Sequence, residues 1–181
     1  NRICQQSYHN GAISLERAGL DQKLRRSLQC RSMEFGAVME VTHTEGVGAL
    51  IYARSTNRYL FLLRNKSKHA GSWGIAGGKI EPGETVIHGL VREIQEEIQL
   101  DFSNRKFIPV ETFTADNHKF VYYTFQVAVD EEFVPVLNNE HRGYCWVELD
   151  DHPRPLHPGL WRSFNFEIVK KKIRTLESIL N

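Results

Sequence analysis

Hydrophobic residues recur with helical spacing over residues 85–98, directly after a turn formed by Pro82 and Gly83. Val86, Leu90 and Ile94 are separated by intervals of four residues, which places them on one apolar face of an amphipathic helix. The threonine that opens this range is suited to cap the helix, because its hydroxyl can accept a hydrogen bond from a free amide of the first turn. The pattern therefore predicts a helix that packs its apolar face against a sheet.

Runs rich in β-branched and aromatic residues predict strands on both sides of this helix. The predicted strands cover residues 35–42, 46–53, 58–63, 106–115, 119–129 and 144–147. The pair at 106–129 surrounds the turn Asp116-Asn117-His118 and is typical of a β-hairpin. A long apolar face over residues 160–180 predicts a closing helix, and leucines at intervals of four residues predict a short helix within 13–28. This order of elements predicts an α/β fold with a mixed sheet.

Length and composition favour one domain with an appendage. The chain has 181 residues, 41% of them hydrophobic, which is enough to bury a sizeable core. We expect residues 35–181 to form the catalytic domain and residues 1–34 to form an N-terminal helical appendage. The net charge of +1 gives no general attraction to nucleic acid or to acidic membranes, so phosphate binding has to come from a local group of residues. Nucleic acid is therefore a possible partner but not the favoured one.

Cysteine usage and hydropathy indicate the compartment. Cys4, Cys30 and Cys145 are odd in number and widely spaced, which matches neither a paired metal motif nor a disulfide framework. No apolar run reaches the length needed to cross a bilayer, and the first residues lack the apolar core of a signal peptide. We expect a reducing, cytoplasmic setting and no membrane. Because the sequence begins with asparagine, a targeting segment removed before it stays an open alternative.

The polar face of the predicted helix carries a crowd of carboxylates. Glu93 and Glu97 are one helical turn apart and Glu96 lies between them, with Arg92 as the only nearby cation. Like charges at this spacing destabilise a helix, so a surface of this kind is costly unless a cation binds to it. Hard divalent ions such as Mg²⁺ and Mn²⁺ prefer oxygen ligands and bridge carboxylates to phosphates. The spacing therefore predicts a site for Mg²⁺ or Mn²⁺.

Residues 77–100, which read GGKIEPGETVIHGLVREIQEEIQL, resemble the signature of the Nudix hydrolase family at nearly every fixed position. The match includes Gly78, Glu84 and the run from Arg92 to Glu97, while Gln99 replaces the glycine that is usual at the end of the helix. The resemblance implies an α/β/α sandwich and metal-dependent cleavage of a pyrophosphate bond in a nucleoside diphosphate linked to another moiety. The usual glycine adopts a left-handed backbone without strain. Its replacement by Gln99 therefore leaves open the backbone geometry at the helix exit, whereas the carboxylates are unaffected.

The resemblance also implies roles for individual residues. The metal would be bound by the backbone carbonyl of Gly78 and by three carboxylates of the signature helix, those of Glu93, Glu96 and Glu97. Arg92, together with Glu84, would orient these carboxylates through a charge-assisted fork.

Glu140 lies in a polar loop, Asn138 to His141, that resembles the second active-site loop of the family. In some members a glutamate of this loop completes the metal site or accepts the proton of the attacking water, and in others the base is a glutamate of the helix. Glu96, Glu97 and Glu140 therefore all stay open as catalytic residues.

Candidate substrate contacts lie outside the helix, at Arg64, Trp73, Lys79, Phe113 and Tyr122. A cationic side chain in a loop can bind a phosphate tail, and an aromatic ring can stack on a nucleobase. Family members that act on ADP-ribose often carry a proline at the place of Asp116, and those that act on dinucleoside polyphosphates a tyrosine at the place of Asn117. Their absence here weakly disfavours both classes and leaves a small nucleotide-type substrate: a nucleoside triphosphate, a nucleotide sugar or another capped nucleotide.

Two other functions stay open. One is a binding module that holds a nucleotide or RNA end without cutting it, but such a module has no need for crowded carboxylates. The other is an RNA-processing hydrolase recruited through the basic residues Lys23, Arg25 and Arg26.

Overall fold

The computed structural model describes residues 43–66 and 68–180 of the chain. Its strands are β1 (Thr44–Ala53), β2 (Arg58–Arg64), β3 (Trp73–Gly74), β4 (Ala76–Lys79), β5 (Ile108–Thr114), β6 (Phe120–Val129) and β7 (His141–Val147). Its α-helices are α1 (Val86–Ile98), α2 (Pro158–Phe164) and α3 (Glu167–Leu180), and a short 3₁₀ helix covers Leu149–Asp151. The predicted helix at 13–28 and the predicted strand at 35–42 lie outside the described residues.

The strands form one mixed sheet between helices, which confirms the predicted α/β architecture. Its main path runs β3-β2-β1-β6-β5, with β4 added to β1 and β7 added to β2. β1 and β6 are parallel, whereas β5 and β6 form the antiparallel hairpin expected from the sequence. Residues on one face of β1, such as Ala49 and Ile51, pack against α1, while Leu50 and Tyr52 on the other face pack against α2 and α3. The core therefore has two layers, one on each side of the sheet.

The entry of α1 follows the turn chemistry of the sequence. Gly83 has a φ of 88°, which glycine adopts without a steric penalty, and Thr85 is the N-cap. The amide of His88 donates to Oγ1 of Thr85 over 3.2 Å. Both features were expected from the pattern, and they fix where the helix begins relative to β4.

The closing helix is interrupted, contrary to the prediction of one helix over residues 160–180. α2 ends at Phe164 and α3 begins at Glu167. At the break, Nδ2 of Asn165 donates to the carbonyl of Trp161 over 2.8 Å, and the backbone amide of Asn165 donates to the same carbonyl over 3.2 Å. Trp161 is 60% exposed and Ile168 is 74% exposed, although the sequence pattern placed both on the buried face.

The exit of α1, which the sequence left open because Gln99 replaces the usual glycine, is left-handed. Gln99 has φ 56° and ψ 35°, and its amide donates to the carbonyl of Gln95 over 3.0 Å. A residue with a Cβ atom is strained in this region, and glycine is not.

We therefore expect Gln99→Gly to leave the free energy of unfolding unchanged or to raise it by up to about 1 kcal/mol, since strain relief is partly offset by the flexibility of glycine in the unfolded chain. Gln95→Gly is the matched control, because Gln95 is an exposed residue inside the same helix. It should lose about 1 kcal/mol. Urea titration of both variants measures the difference, and an equal loss for Gln99→Gly would show that its side chain contributes to the cap.

Candidate active site

A cavity of about 770 Å³ opens between α2 and the sheet at the end where β1 begins. It exists because Gly46 and Gly48 carry no side chains, whereas Leu50 and Tyr52 fill the same face of β1 further along. A Cβ at Gly48 would lie 2.3 Å from the hydroxyl of Tyr122, so this ring extends across the glycines. The glycines of β1 therefore leave room both for Tyr122 and for a ligand beside it.

Glu97 is the most deeply placed carboxylate of the cavity. It is only 3% exposed, and its Oε2 accepts a hydrogen bond of 2.8 Å from the amide of Gly77 on β4. Burial raises the pKa of Glu97 to about 8, the amide of Gly77 acts in the opposite direction, and the charge of Glu93 adds to the rise. A buried carboxylate of this kind is stabilised in its charged form when a cation binds next to it.

Glu93 and Glu140 line the same cavity as Glu97. The carboxylate of Glu93 packs against Gly78, where a Cβ would come within 2.5 Å of it. Burial raises the pKa of Glu93, and hydrogen bonding by Arg92 partly opposes this effect. The charge of Glu140 acts to raise the pKa of both Glu93 and Glu97, which places the three groups close to one another.

Arg92 holds the outer side of this group. Its guanidinium donates to both oxygens of Glu84, over 2.8 and 3.0 Å, and to the Oε1 of Glu93 over 2.9 Å. A fourth hydrogen bond, of 2.9 Å, reaches the carbonyl of Lys79, so one side chain connects the signature turn to the helix. The hydrogen bonds from Arg92 lower the pKa of Glu84 to about 2. Arg92 is therefore committed to protein groups and does not face the cavity.

Glu96 differs from the other carboxylates of the helix. Its side chain is 56% exposed, its oxygens lie 3.5 Å from Arg92, and it does not line the cavity. Within the described part of the chain, no group of three or more His, Cys, Asp or Glu side chains is arranged closely enough to hold a metal ion by itself. The expected convergence of Glu93, Glu96 and Glu97 on one patch is thus not found, because Glu96 turns outward to water and Glu97 turns inward to β4.

The remaining carboxylates still fit a divalent ion. Glu93, Glu97 and Glu140 present oxygen atoms to one cavity, and Gly78 leaves space for the carboxylate of Glu93. Oxygen ligands of this type suit Mg²⁺ and Mn²⁺ rather than softer metals.

The candidate substrate contacts fall into two groups. Arg64, Lys79, Phe113 and Tyr122 line the cavity. The Nε of Arg64 is buried and has no hydrogen-bond partner among the described residues, so a cationic donor is available to an anion. Trp73 instead packs against the hydrophobic core and does not line the cavity.

Several cavity residues were not assigned to the site from the sequence. Glu111, Thr124 and Arg162 line the cavity from β5, β6 and α2, and His157 does so from the N-cap of α2. The signal for Glu111 was a charged residue two positions before Phe113 on a predicted strand, which puts both on one face. The position of α2 could not be read from the sequence, so Arg162 gave no signal.

His141 is a buried residue next to the carboxylate of Glu97. It is 4% exposed, and its Nε2 is 3.9 Å from Oε1 of Glu97. Burial and, to a smaller extent, the charge of Arg64 together lower the pKa of His141 to about 4. The ring is therefore neutral near pH 7 and does not compete with a cation for the cavity.

Comparison with known proteins gives one consistent result. Residues 42–169 match the model of the NUDIX domain. Dihydroneopterin triphosphate diphosphatase of Haemophilus influenzae is 31% identical over 125 residues, which cover 61% of this chain and 77% of that protein. The nucleoside triphosphatase NudI of Salmonella heidelberg is 29% identical over 100 residues, which cover 50% and 71%.

Solved structures show the same similarity. The MutT protein of Methanosarcina mazei Go1 has a TM-score of 0.57 at 27% identity, covering 76% of this chain and 97% of that one. The MutT NUDIX hydrolase of Burkholderia pseudomallei has a TM-score of 0.57 at 25% identity, covering 67% of this chain and 95% of that one.

Among the described residues, no helix combines the length and the apolar character that spanning a bilayer requires.

The packing of Glu93 against Gly78 gives a test of the site. In Gly78→Ala the new methyl group would overlap the carboxylate of Glu93, so that carboxylate has to leave its present position. We expect the affinity for Mn²⁺ to fall at least about 10-fold, as is usual when the support of a metal ligand is disturbed. Gly74→Ala is the matched control, because a Cβ there meets no atom within 4 Å. Mn²⁺ titration followed by electron paramagnetic resonance measures both variants, and equal affinities would show that Glu93 is not a ligand.

Proposed function

Because the chain belongs to the Nudix hydrolase family, we propose that it hydrolyses a phosphoanhydride bond of a nucleotide-type triphosphate with the help of Mg²⁺ or Mn²⁺. The observation that carries this proposal is the buried carboxylate of Glu97, which is fixed to the amide of Gly77 and shares one cavity with Glu93 and Glu140. Both relatives described above are named for triphosphate substrates, which supports a small triphosphate over a larger partner.

The residues suit the binding of a phosphate chain. Glu93, Glu97, Glu140 and the carbonyl of Gly78 would hold the cation, and Arg64 would bind phosphate oxygens with its free Nε donor. A divalent ion at such a site neutralises phosphate charge and lowers the pKa of a bound water. Lys79 lines the same cavity and adds positive charge at its exposed side.

Other residues of the chain hold the proposed metal ligands in position and offer a candidate base. Arg92 keeps Glu93 in place through a hydrogen bond of 2.9 Å while its other nitrogens hold Glu84 and the turn. The amide of Gly77 fixes the orientation of Glu97. Glu140 lies in a loop and is exposed, so it is free to approach a water at the cavity, where it would serve as base or as a further ligand.

Metal-dependent turnover is the direct test of this function. Purified protein should release phosphate or pyrophosphate from at least one of a panel of nucleoside triphosphates, pterin triphosphates, nucleotide sugars and capped RNA when Mg²⁺ or Mn²⁺ is present. Excess chelator should abolish the reaction, and Glu97→Gln should reduce kcat/KM by about 10² or more. Glu148→Gln is the control, because Glu148 is exposed and does not line the cavity. Tight nucleotide binding without turnover of any substrate would instead identify a binding module.

The role of Glu140 can be separated from that of a metal ligand. If Glu140 accepts the proton of the attacking water, Glu140→Gln should lower kcat by about 10² while the Kd for Mn²⁺ and substrate stays unchanged. If Glu140 is a ligand, metal affinity should fall and higher Mn²⁺ should restore part of the rate. A variant with the kcat of the parent at ordinary metal concentration would exclude both roles, and the search for the base would move to the helix, with Glu97 and Glu96 tested first.

A further inference from the structure

Glu111 is a carboxylate of the cavity that the proposed hydrolysis does not use. It projects from β5, and its Oε2 is buried without a hydrogen-bond partner. In the described part of the chain it forms no salt bridge with any lysine, arginine or histidine. A buried acceptor is costly when it is left unpaired, so its position on a cavity wall points to a donor that arrives with the ligand.

Strand register places Glu111 across the sheet from the phosphate-binding end. Gly77, Gly48, Thr124 and Glu111 are successive cross-strand partners on β4, β1, β6 and β5. Gly77 is the residue whose amide holds Glu97, so three strand spacings, about 14 Å, separate the backbone at the catalytic carboxylate from the backbone at Glu111. An extended nucleoside triphosphate has a comparable length, with its base at one end and its phosphates at the other.

The neighbouring row provides a surface for a planar ring. Gly46, Tyr122 and Phe113 are cross-strand partners there, on the same face as Glu111. The guanidinium of Arg162 lies 4.7 Å from the centre of the Phe113 ring and covers one side of it, whereas Tyr122 extends over Gly46 along the cavity. A base held against these groups would present its edge to Glu111.

The chemistry of a carboxylate selects among ring edges, because an ionised carboxylate only accepts hydrogen bonds. Adenine and cytosine pair one donor with an acceptor nitrogen on that edge, and uracil flanks its single N–H with two carbonyl oxygens, so each places an acceptor against the carboxylate. Guanine offers two adjacent donors, N1–H and the 2-amino group. The pterin ring system presents the same two donors, a ring N–H beside a 2-amino group, on an edge that is named 2-amino-4-oxo in pterin numbering.

From this arrangement we propose that Glu111 is the specificity-determining residue of the cavity and selects a triphosphate whose ring carries a 2-amino-4-oxo edge, as in guanosine or pterin nucleotides. The inference rests on the proposed function for the position of the phosphates. Thr124, buried beside Glu111 in the same row, contributes to the wall at this end of the cavity.

The test measures binding separately from turnover. Isothermal titration calorimetry with Mg²⁺ would compare the α,β-methylene triphosphates of guanosine, inosine and adenosine, which resist cleavage at that bond. The parent protein should bind the guanosine compound about 10- to 100-fold more tightly than the other two, because inosine lacks the 2-amino donor and adenosine lacks both. Equal affinity for guanosine and inosine compounds would overturn the inference, whatever the behaviour of the variants.

Glu111→Gln gives a second, independent readout. The amide keeps the shape of the side chain but has one donor and one acceptor, so it should weaken guanosine binding and strengthen adenosine binding until the preference is lost or reversed. A structural defect would instead lower all affinities together and leave their ratio unchanged, which would contradict the inference. Glu131→Gln, an exposed carboxylate outside the cavity, should retain the preference of the parent.

Hydrolysis assays on the unmodified compounds then distinguish the two proposals. Guanosine triphosphate and dihydroneopterin triphosphate should both be cleaved faster than adenosine triphosphate, and their ratio identifies which source of the shared edge is preferred. A binding preference for guanosine without any turnover would contradict the proposed hydrolysis and support the role of Glu111. Turnover at equal rates for all three ring systems would support the proposed hydrolysis and contradict the role of Glu111.

Discussion

The hydrogen bond from the amide of Gly77 to the carboxylate of Glu97 connects α1 to the sheet. At 2.8 Å it fixes a side chain that is 3% exposed, and it requires β4 to pass close to the end of α1. Gly77 makes this approach possible, because its φ is 145° and a Cβ would lie 2.1 Å from the carbonyl of Val47. The glycines of the signature turn therefore place a charged group in the protein interior, where burial raises its pKa to about 8.

A carboxyl group buried in this way is charged near pH 7 only when positive charge lies beside it, and the chain supplies only part of that charge. Arg92 faces outward and is used by Glu84, Glu93 and the carbonyl of Lys79. Arg64 faces the cavity, yet its Nε donates to no described residue. The site therefore combines surplus acceptors on the helix side with a free cationic donor on the β2 side, which is the arrangement that a metal-bound phosphate chain would complete.

Much of the fold followed from local sequence. The N-cap at Thr85 and the hairpin of β5 and β6 were predicted, because each depends on residues that are near neighbours in the chain, whereas the backbone conformation of Gln99 was left open. The prediction of a single closing helix was wrong: α2 ends at Phe164 and α3 begins at Glu167. The expected reducing compartment and the roles of residues 1–34 stay predictions.

The candidate site was predicted less completely, because it is assembled from distant strands. The sequence indicated Glu93 and Glu97 by helical spacing, but it also grouped Glu96 with them, although that side chain is 56% exposed and turned away from the cavity. Glu111 becomes visible only through register, since two strands separate it from β4. Spacing along one helix thus indicates candidate metal ligands, whereas the cavity wall that would face a base is visible only from the pairing of the strands.

Anomalous diffraction from a crystal soaked in Mn²⁺ would test the central claim most directly. The account predicts an anomalous peak in the cavity, in contact with Glu97 and Glu93 and near the carbonyl of Gly78, with further ligands from Glu140, water or a bound phosphate chain. A peak found only at exposed carboxylates such as Glu96, with Glu97 still held by Gly77 and facing no ion, would contradict it.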